Sequence, residues 1–241
     1  DLTRGIRAVL TELPRSQLAQ VERVGLSTTL ATNAFVEKKG RAVGLLLMCP
    51  FSIDERAFPF HFVRRISGSM DMQGQEKDPI DADQVRSFAR EAMGAGCQAL
   101  AISGFASVIN PQHEIEAARL ALAETGLHAV CGHELTTRLN FVDRATTATM
   151  NARLIPLIES LIDAVQAALE DHGLGDALLM VVKGDGSQLL AEVARRVPVE
   201  TVLSGPAASV VGAAALFGSQ DAFVADLGGT TLDIAMITKG S

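Results

Sequence analysis

Short apolar runs recur along this chain, and stretches of helical spacing fill the gaps between them. Val21–Leu26, Ala42–Met48, Ala99–Ser103, His128–Cys131, Ala177–Val182 and Ala222–Leu227 read as strands. Parallel strands need a crossover between them, usually a helix, so the alternation predicts an α/β fold with largely parallel sheets. At 241 residues the chain is long enough for one large or two small domains.

The helical stretches carry their own signals. Asp81 or Asp83 can cap a helix bearing Val85, Phe88, Ala89 and Ala92, which ends at Gly94 or Gly96. Asn110-Pro111 supplies a cap followed by Pro at the first helical position, and Gly126 ends that helix. The longest pattern runs from Asp143 to His172, with Leu154, Leu157, Ile158, Leu161, Ile162, Val165, Ala168 and Leu169 on one face. Pro156 interrupts it, which predicts a kink or two helices. Residues 49–80 lack periodicity and read as an irregular insertion, with a hairpin over His61–Gln75 turning near Gly68-Ser69.

A net charge of −7 excludes the basic footprint that nonspecific nucleic-acid or membrane binding needs. No Trp or Tyr is present to stack bases. The apolar run Val210–Phe217 is too short to span a bilayer. Cys49, Cys97 and Cys131 form no C-x-x-C and suggest neither a zinc site nor a disulfide framework. A reducing, cytoplasmic location fits. The five histidines, His61, His113, His128, His133 and His172, show no metal-ligand spacing.

The chemistry concentrates near the C-terminus, in Ala225-Asp226-Leu227-Gly228-Gly229-Thr230-Thr231-Leu232-Asp233. Apolar runs on both sides make this strand, glycine turn, strand. Gly228 and Gly229 let the backbone approach a phosphate and offer its N–H groups. Thr230 and Thr231 add hydroxyl donors. Asp226 can hold Mg²⁺, directly or through water, since hard cations take oxygen ligands. Asp226 and Asp233 are the candidate catalytic carboxylates. The chain has no P-loop motif.

Other segments read two ways. Ser204-Gly205-Pro206 opens an Ala/Gly-rich helix, which suits either a crossing between two lobes that open and close or a tightly packed core helix; Ser204 or Gly205 is the expected cap. Thr28, Thr29 and Asn33 follow a strand, where they can bind an anion or polar substrate or form an ordinary helix start. Arg144 can clamp a carboxylate or phosphate, or pair with Asp143 at the surface. Asn151, one to two turns further on, is a candidate to share the face of Arg144 or of Thr147. Lys183-Gly184-Asp185-Gly186-Ser187 stands beyond a strand, where α/β sheets bind ligands, and also fits a solvated turn.

Taken in order, five motifs resemble the hydantoinase A/5-oxoprolinase family. They are Ser27–Ala34; Asn110-Pro111-Gln112-His113-Glu114; Arg144-Ala145-Thr146 with Asn151-Ala152; Leu203–Ala208; and Asp226–Thr230. The resemblance implies the actin/sugar-kinase/Hsp70 type of architecture, in which ribonuclease-H-like α/β lobes close on ATP. It implies residues 1–200 as an N-terminal-type α/β region and 201–241 as the start of the ATPase core lobe. It further implies Asp226 and Gly228–Thr231 as the second phosphate motif and Ser204–Ala215 as the first connecting segment. Thr28, Thr29, Asn33, Arg144, Thr146 and Asn151 become substrate or phosphate contacts, and Lys183 and Asp185 join them as substrate candidates from their place beyond a strand.

The implied activity is ATP- and Mg²⁺-dependent opening of a cyclic amide, a hydantoin or lactam, through phosphorylation of its carbonyl oxygen. A partner subunit of hydantoinase B type, or a homo-oligomer, is compatible with it. The alternatives are a subunit of an ATP-dependent ketone carboxylase, a small-molecule kinase and a non-enzymatic ATP-gated module. Two departures bear on the substrate: Leu26-Ser27 stands where the family usually has His-Gly, and Val182–Ser187 where many relatives have Met-Gln-Ser-Asp-Gly-Gly. The family's first phosphate motif is expected upstream of Asp1, and its adenosine motif and second connecting segment after Ser241. The stretch given is therefore expected to be inactive alone.

Overall fold

A computed structural model describes residues 3–37, 39–60, 62–218, 220–227 and 232–238. Along the chain run α1 (Thr3–Glu12), α2 (Arg15–Leu18), β1 (Arg23–Leu26), α3 (Leu30–Val36), β2 (Val43–Met48), β3 (Phe62–Ile66), β4 (Ser69–Met70) and β5 (Glu76–Asp78). Then come α4 (Ala82–Gly94), β6 (Ala99–Gly104), α5 (Gln112–Thr125), β7 (Ala129–Cys131), α6 (Phe141–Asp171), β8 (Leu178–Val182) and β9 (Gln188–Leu190). The last elements are α7 (Ala191–Arg196), α8 (Ser204–Phe217), β10 (Ala222–Leu227) and β11 (Leu232–Ile237). No helix among the described residues is long and apolar enough to cross a membrane.

The chain forms two compact units that are not consecutive in sequence: 39–156, and 1–38 with 157–241. This differs from the linear division near residue 200 that the motifs suggested.

In the 39–156 unit, β3, β2, β6 and β7 form an all-parallel sheet in that order. Every residue of β2 and β6 is buried, which is why both read as unbroken apolar runs. One face packs Leu46, Met48, Leu100 and Ile102 against Val85, Phe88, Ala117 and Leu120 of α4 and α5. The other packs Leu45, Leu47 and Ala101 against Phe141, Ala145, Ala148 and Ala152 of α6. The Asp81 carboxylate caps α4, accepting from the N–H groups of Asp83 and Gln84. Asn110 Oδ1 accepts from the Gln112 N–H at 3.1 Å at the start of α5, which begins at Gln112, one residue later than expected, and left-handed Gly126 ends it.

Of the two outcomes expected at Pro156, separate helices do not form: α6 runs as one helix from Phe141 to Asp171. Proline removes the N–H that would bond the carbonyl four residues back. That carbonyl, Ala152 O, accepts instead from Arg41 Nε at 2.6 Å. The expected His61–Gln75 hairpin is also corrected. Phe62–Ile66 joins the main sheet as β3, parallel to β2, and the hairpin is β4–β5, turning through Asp71–Gln75. The Asp71 carboxylate ties that turn by accepting from the N–H groups of Gln73 and Gln75. His61 lies outside the described residues.

In the other unit, β1 pairs parallel with β8 and β9 pairs antiparallel with β8. Antiparallel β10 and β11 form a separate ribbon. Val224, Asp226, Asp233, Ala235 and Ile237 lie on its more covered face. Phe223, Leu227, Leu232, Ile234 and Met236 lie on the exposed one.

Candidate functional site

The carboxyl ends of β1 and β8 gather several of the motif residues. After β1, Thr28 Oγ1 accepts from the Leu30 N–H at 3.0 Å, and Thr29 stands as the first-turn cap of α3. Asn33 Nδ2 reaches back to Thr29 Oγ1 at 3.4 Å. The start of α8 is seated on this turn. Ser204, fully buried, donates to Thr28 O at 2.9 Å and accepts from the Thr28 N–H at 3.4 Å. The Leu203 N–H donates to Thr32 Oγ1 at 2.8 Å. A Cβ on Gly205 would stand 3.2 Å from the Thr29 methyl.

Neither Ser204 nor Gly205 caps α8. The cap is Leu203, held at φ +63°, because the Ser204 hydroxyl is occupied by Thr28. Leu203 is the one non-glycine residue at positive φ among the described residues. Such strain persists where neighbours over-determine the backbone; here the Thr32 and Thr28 contacts do so.

After β8 comes the Lys183–Ser187 turn. Lys183 Nζ bonds Glu200 Oε2 at 3.0 Å and Asp185 Oδ2 at 3.2 Å, and these partners, Glu200 first, raise its pKa. Asp185 Oδ1 accepts from the Ser187 hydroxyl at 2.6 Å and N–H at 2.9 Å, which with Lys183 brings the carboxyl down to about 2. Both glycines here permit close approach. A Cβ on Gly184 would fall 2.3 Å from Val202 O, and one on Gly186, at φ +82°, 2.6 Å from the Val211 methyl of α8. The turn therefore fits against the segment leading into α8 and against the helix itself.

The ribbon meets the same helix. Ser209 Oγ of α8 donates to Asp226 Oδ2 at 2.7 Å. Asp226 pairs with Asp233 across the strands, which sets their Cβ atoms roughly 4.5–5.5 Å apart on one face. Like charges directly opposite repel, and two half-buried carboxylates offer hard oxygen ligands to a shared cation. The pair thus fits Mg²⁺. Gly228, Gly229, Thr230 and Thr231, the expected phosphate turn, lie outside the described residues.

Three of the expected contacts belong to the 39–156 unit. Arg144 is fully buried, and its guanidinium holds the protein's own backbone rather than an open site. Nη1 donates to Arg138 O and Leu139 O at 2.8 Å each; Nη2 donates to Gly104 O at 2.7 Å and Phe105 O at 2.6 Å. Desolvation lowers its pKa. Asn151 is fully buried and Thr146 half-buried on the same helix. In the Asn110–Glu114 motif, Asn110 Nδ2 donates to Gly74 O at 2.9 Å and His113 Nε2 stands 2.8 Å from Glu76 Oε1, which fastens the β4–β5 hairpin to α5.

Sequence reasoning passed over Ser209, Glu200 and Thr32, each of which ties a motif to its neighbour. Ser209 was legible as the single hydroxyl in the Ala/Gly-rich body of α8. The partners of Glu200 and Thr32 come from distant parts of the chain and leave no local trace.

Family profiles match both parts of the chain: the hydantoinase/oxoprolinase N-terminal region over residues 1–125, and hydantoinase/oxoprolinase over 144–241. The caprolactamase alpha subunit of Pseudomonas jessenii is 27% identical over 98% of this chain and 37% of its own length. A solved structure of the ATP-dependent caprolactamase from that organism matches with a TM-score of 0.73 at 28% identity, covering 96% of this chain and 37% of that one. 5-Oxoprolinase 1 of Arabidopsis thaliana is 26% identical over 96% of this chain and 22% of its own. A nucleotide-free acetone carboxylase structure has a TM-score of 0.82 at 20% identity, covering 99% of this chain and 38% of that one, and shows that the fold is shared. The chain thus spans little more than a third of these relatives at most. With a profile match over more than half its residues, it belongs to the hydantoinase/oxoprolinase family.

Proposed function

We propose that this chain is part of a cytoplasmic, ATP-dependent enzyme that opens a cyclic amide, a hydantoin or a lactam. The observation that carries the reading is the meeting of three motifs on α8. Ser204 locks its start to the turn after β1, Gly186 of the turn after β8 abuts it, and Ser209 bonds Asp226 on the ribbon. Sequence likeness to a caprolactamase and a 5-oxoprolinase supports the choice of substrate class. The naming of the caprolactamase relative as a subunit supports a partner chain of hydantoinase B type.

When bound, ATP with Mg²⁺ supplies a phosphoryl group for the ring carbonyl oxygen, which turns a resonance-stabilised amide into a group water can attack. The residues of this chain bind and orient. Asp226 and Asp233 would hold the cation. Gly228, Gly229, Thr230 and Thr231 would offer backbone N–H and hydroxyl hydrogens to phosphate oxygens. Thr28, Thr29 and Asn33, with Lys183 and Asp185, line the ends of β1 and β8 for the polar part of the substrate. Positioning is the main contribution a protein makes to such a transfer.

The test uses the full-length protein with its partner and a lactam labelled with ¹⁸O at the carbonyl. Activation at the oxygen predicts that the label leaves in inorganic phosphate, with ADP released in step. Label retained wholly in the product carboxylate contradicts the mechanism. ADP release driven by a ketone with bicarbonate, and by no cyclic amide, assigns a carboxylase instead.

A further inference from the structure

The 39–156 unit holds a buried polar cluster that the phosphate site does not use. Glu114, in the first turn of α5, is fully buried. Its Oε1 accepts from the Gly104 N–H at 2.6 Å. Its Oε2 accepts from the His133 N–H at 3.0 Å and stands 2.6 Å from His133 Nδ1. Cys131, the last residue of β7, is buried, and its Sγ donates to Glu114 O at 3.6 Å. One ligand atom from each of Glu114, Cys131 and His133 lies within 4.8 Å of the other two.

A second observation points to the same place. Ser103 is fully buried, yet its Oγ has no hydrogen-bond partner among the described residues. Ser103 Oγ and Glu114 Oε1 lie 3.3 and 3.4 Å from the point a Cβ on Gly132 would occupy, so glycine keeps open the space between hydroxyl and carboxylate. A buried hydroxyl of this kind calls for a water or an ion's ligand.

We propose that Glu114, Cys131 and His133 bind a divalent transition-metal ion of the zinc class, with Ser103 hydrogen-bonding a water that completes the coordination. Thiolate, imidazole and carboxylate together favour zinc-like ions, whereas Mg²⁺ prefers oxygen alone. Bonds of about 2.3 Å to sulfur and about 2.0–2.2 Å to nitrogen and oxygen suit three protein ligands and one open position. A tetrahedral ion separates nitrogen and oxygen ligands by roughly 3.3 Å, so His133 Nδ1 and Glu114 Oε2 part by under an ångström, a shift within reach of a half-buried His133. Coordination displaces the Cys131 thiol proton and the proton between Nδ1 and Oε2. The thiolate and carboxylate then balance the charge of the ion. The short Cys131-Gly132-His133 spacing hides the site from sequence, because its third ligand comes from α5. The ion would pin the ends of β6 and β7 to that helix.

The test titrates the full-length protein, reduced and freed of metal by chelator, with Co²⁺ and then Zn²⁺. The expected result is uptake of about one ion per chain, with a thiolate-to-cobalt charge-transfer band that Zn²⁺ abolishes. Cys131→Ala keeps Cys49 and Cys97, and should lose the band and bind at least ~10-fold more weakly, the smallest effect expected even of an outer-shell partner. His133→Gln gives the same reading should Cys131→Ala fail to fold. Absence of stoichiometric Co²⁺ or Zn²⁺ uptake by the wild-type protein overturns the proposal, as does an unchanged band in either folded variant.

Discussion

Arg144→Met separates a structural arginine from a substrate clamp. The side chain donates four hydrogen bonds of 2.6–2.8 Å to backbone carbonyls at the end of β6 and before α6. Bonds from a charged donor are worth about 1.5–3 kcal/mol each, roughly 6–12 kcal/mol gross. Against this, methionine relieves the burial of a guanidinium, which costs several kcal/mol. Gly104 O also keeps a long bond from the Ser107 N–H at 3.4 Å. The net loss should be about 3–5 kcal/mol, or roughly 6–20 °C in melting temperature for a chain of this size. Arg144→Lys should recover less than half, because one ammonium cannot reproduce a planar fork that spans four carbonyls. Calorimetric melting measures the stability. Turnover, assayed well below both transitions, should show KM for the cyclic amide essentially unchanged. A variant that melts within about 2 °C of wild type, with KM raised, would refute the structural role.

Further predictions follow from single contacts. Arg41→Met removes the donor to Ala152 O and should cost about 1–3 kcal/mol; adding Pro156→Ala, which restores an N–H to that carbonyl, should recover most of it, and purely additive losses in the double-mutant cycle would argue against the pairing. Leu203→Gly relieves a left-handed leucine worth about 1–2 kcal/mol and should raise the melting temperature by about 2–8 °C; a lower one would mean the strain is absent. Asp185 has its folded pKa depressed to about 2, chiefly by Ser187, so its contribution is present above the unfolded value of about 4 and lost as pH falls through about 2. Carboxyl carbon shifts titrating near 4 would contradict that.

Strands and caps were legible where local chemistry decides. β10 has its expected bounds, β2 and β6 differ by a residue at one end, and Asp81 and Gly126 bound their helices as read. Non-local contacts account for the misses. α6 runs on through Pro156, and Arg41, 111 positions from Ala152, supplies the donor that the proline denies that carbonyl. Phe62–Ile66 looks like half of a hairpin, and only pairing with β2 makes it a sheet edge. The motif residues were visible, but not their division. Thr28, Ser204, Lys183 and Asp226 belong to one compact unit, while Arg144 and Asn151 belong to the other, and no spacing in the sequence encodes that. Glu114 stood inside a recognised motif, yet its burial against His133 depends on how β7 and α5 pack.

The central claim is that Asp226, bonded to α8 through Ser209 and paired with Asp233, holds the cation of a nucleotide-phosphate site. ATP turnover by full-length Asp226→Asn tests it most directly, since the amide keeps the side chain's size and its ability to accept from Ser209 while removing the charge. The account predicts loss of ADP release by at least ~100-fold with an unchanged melting temperature; near-normal turnover in a folded variant would contradict it.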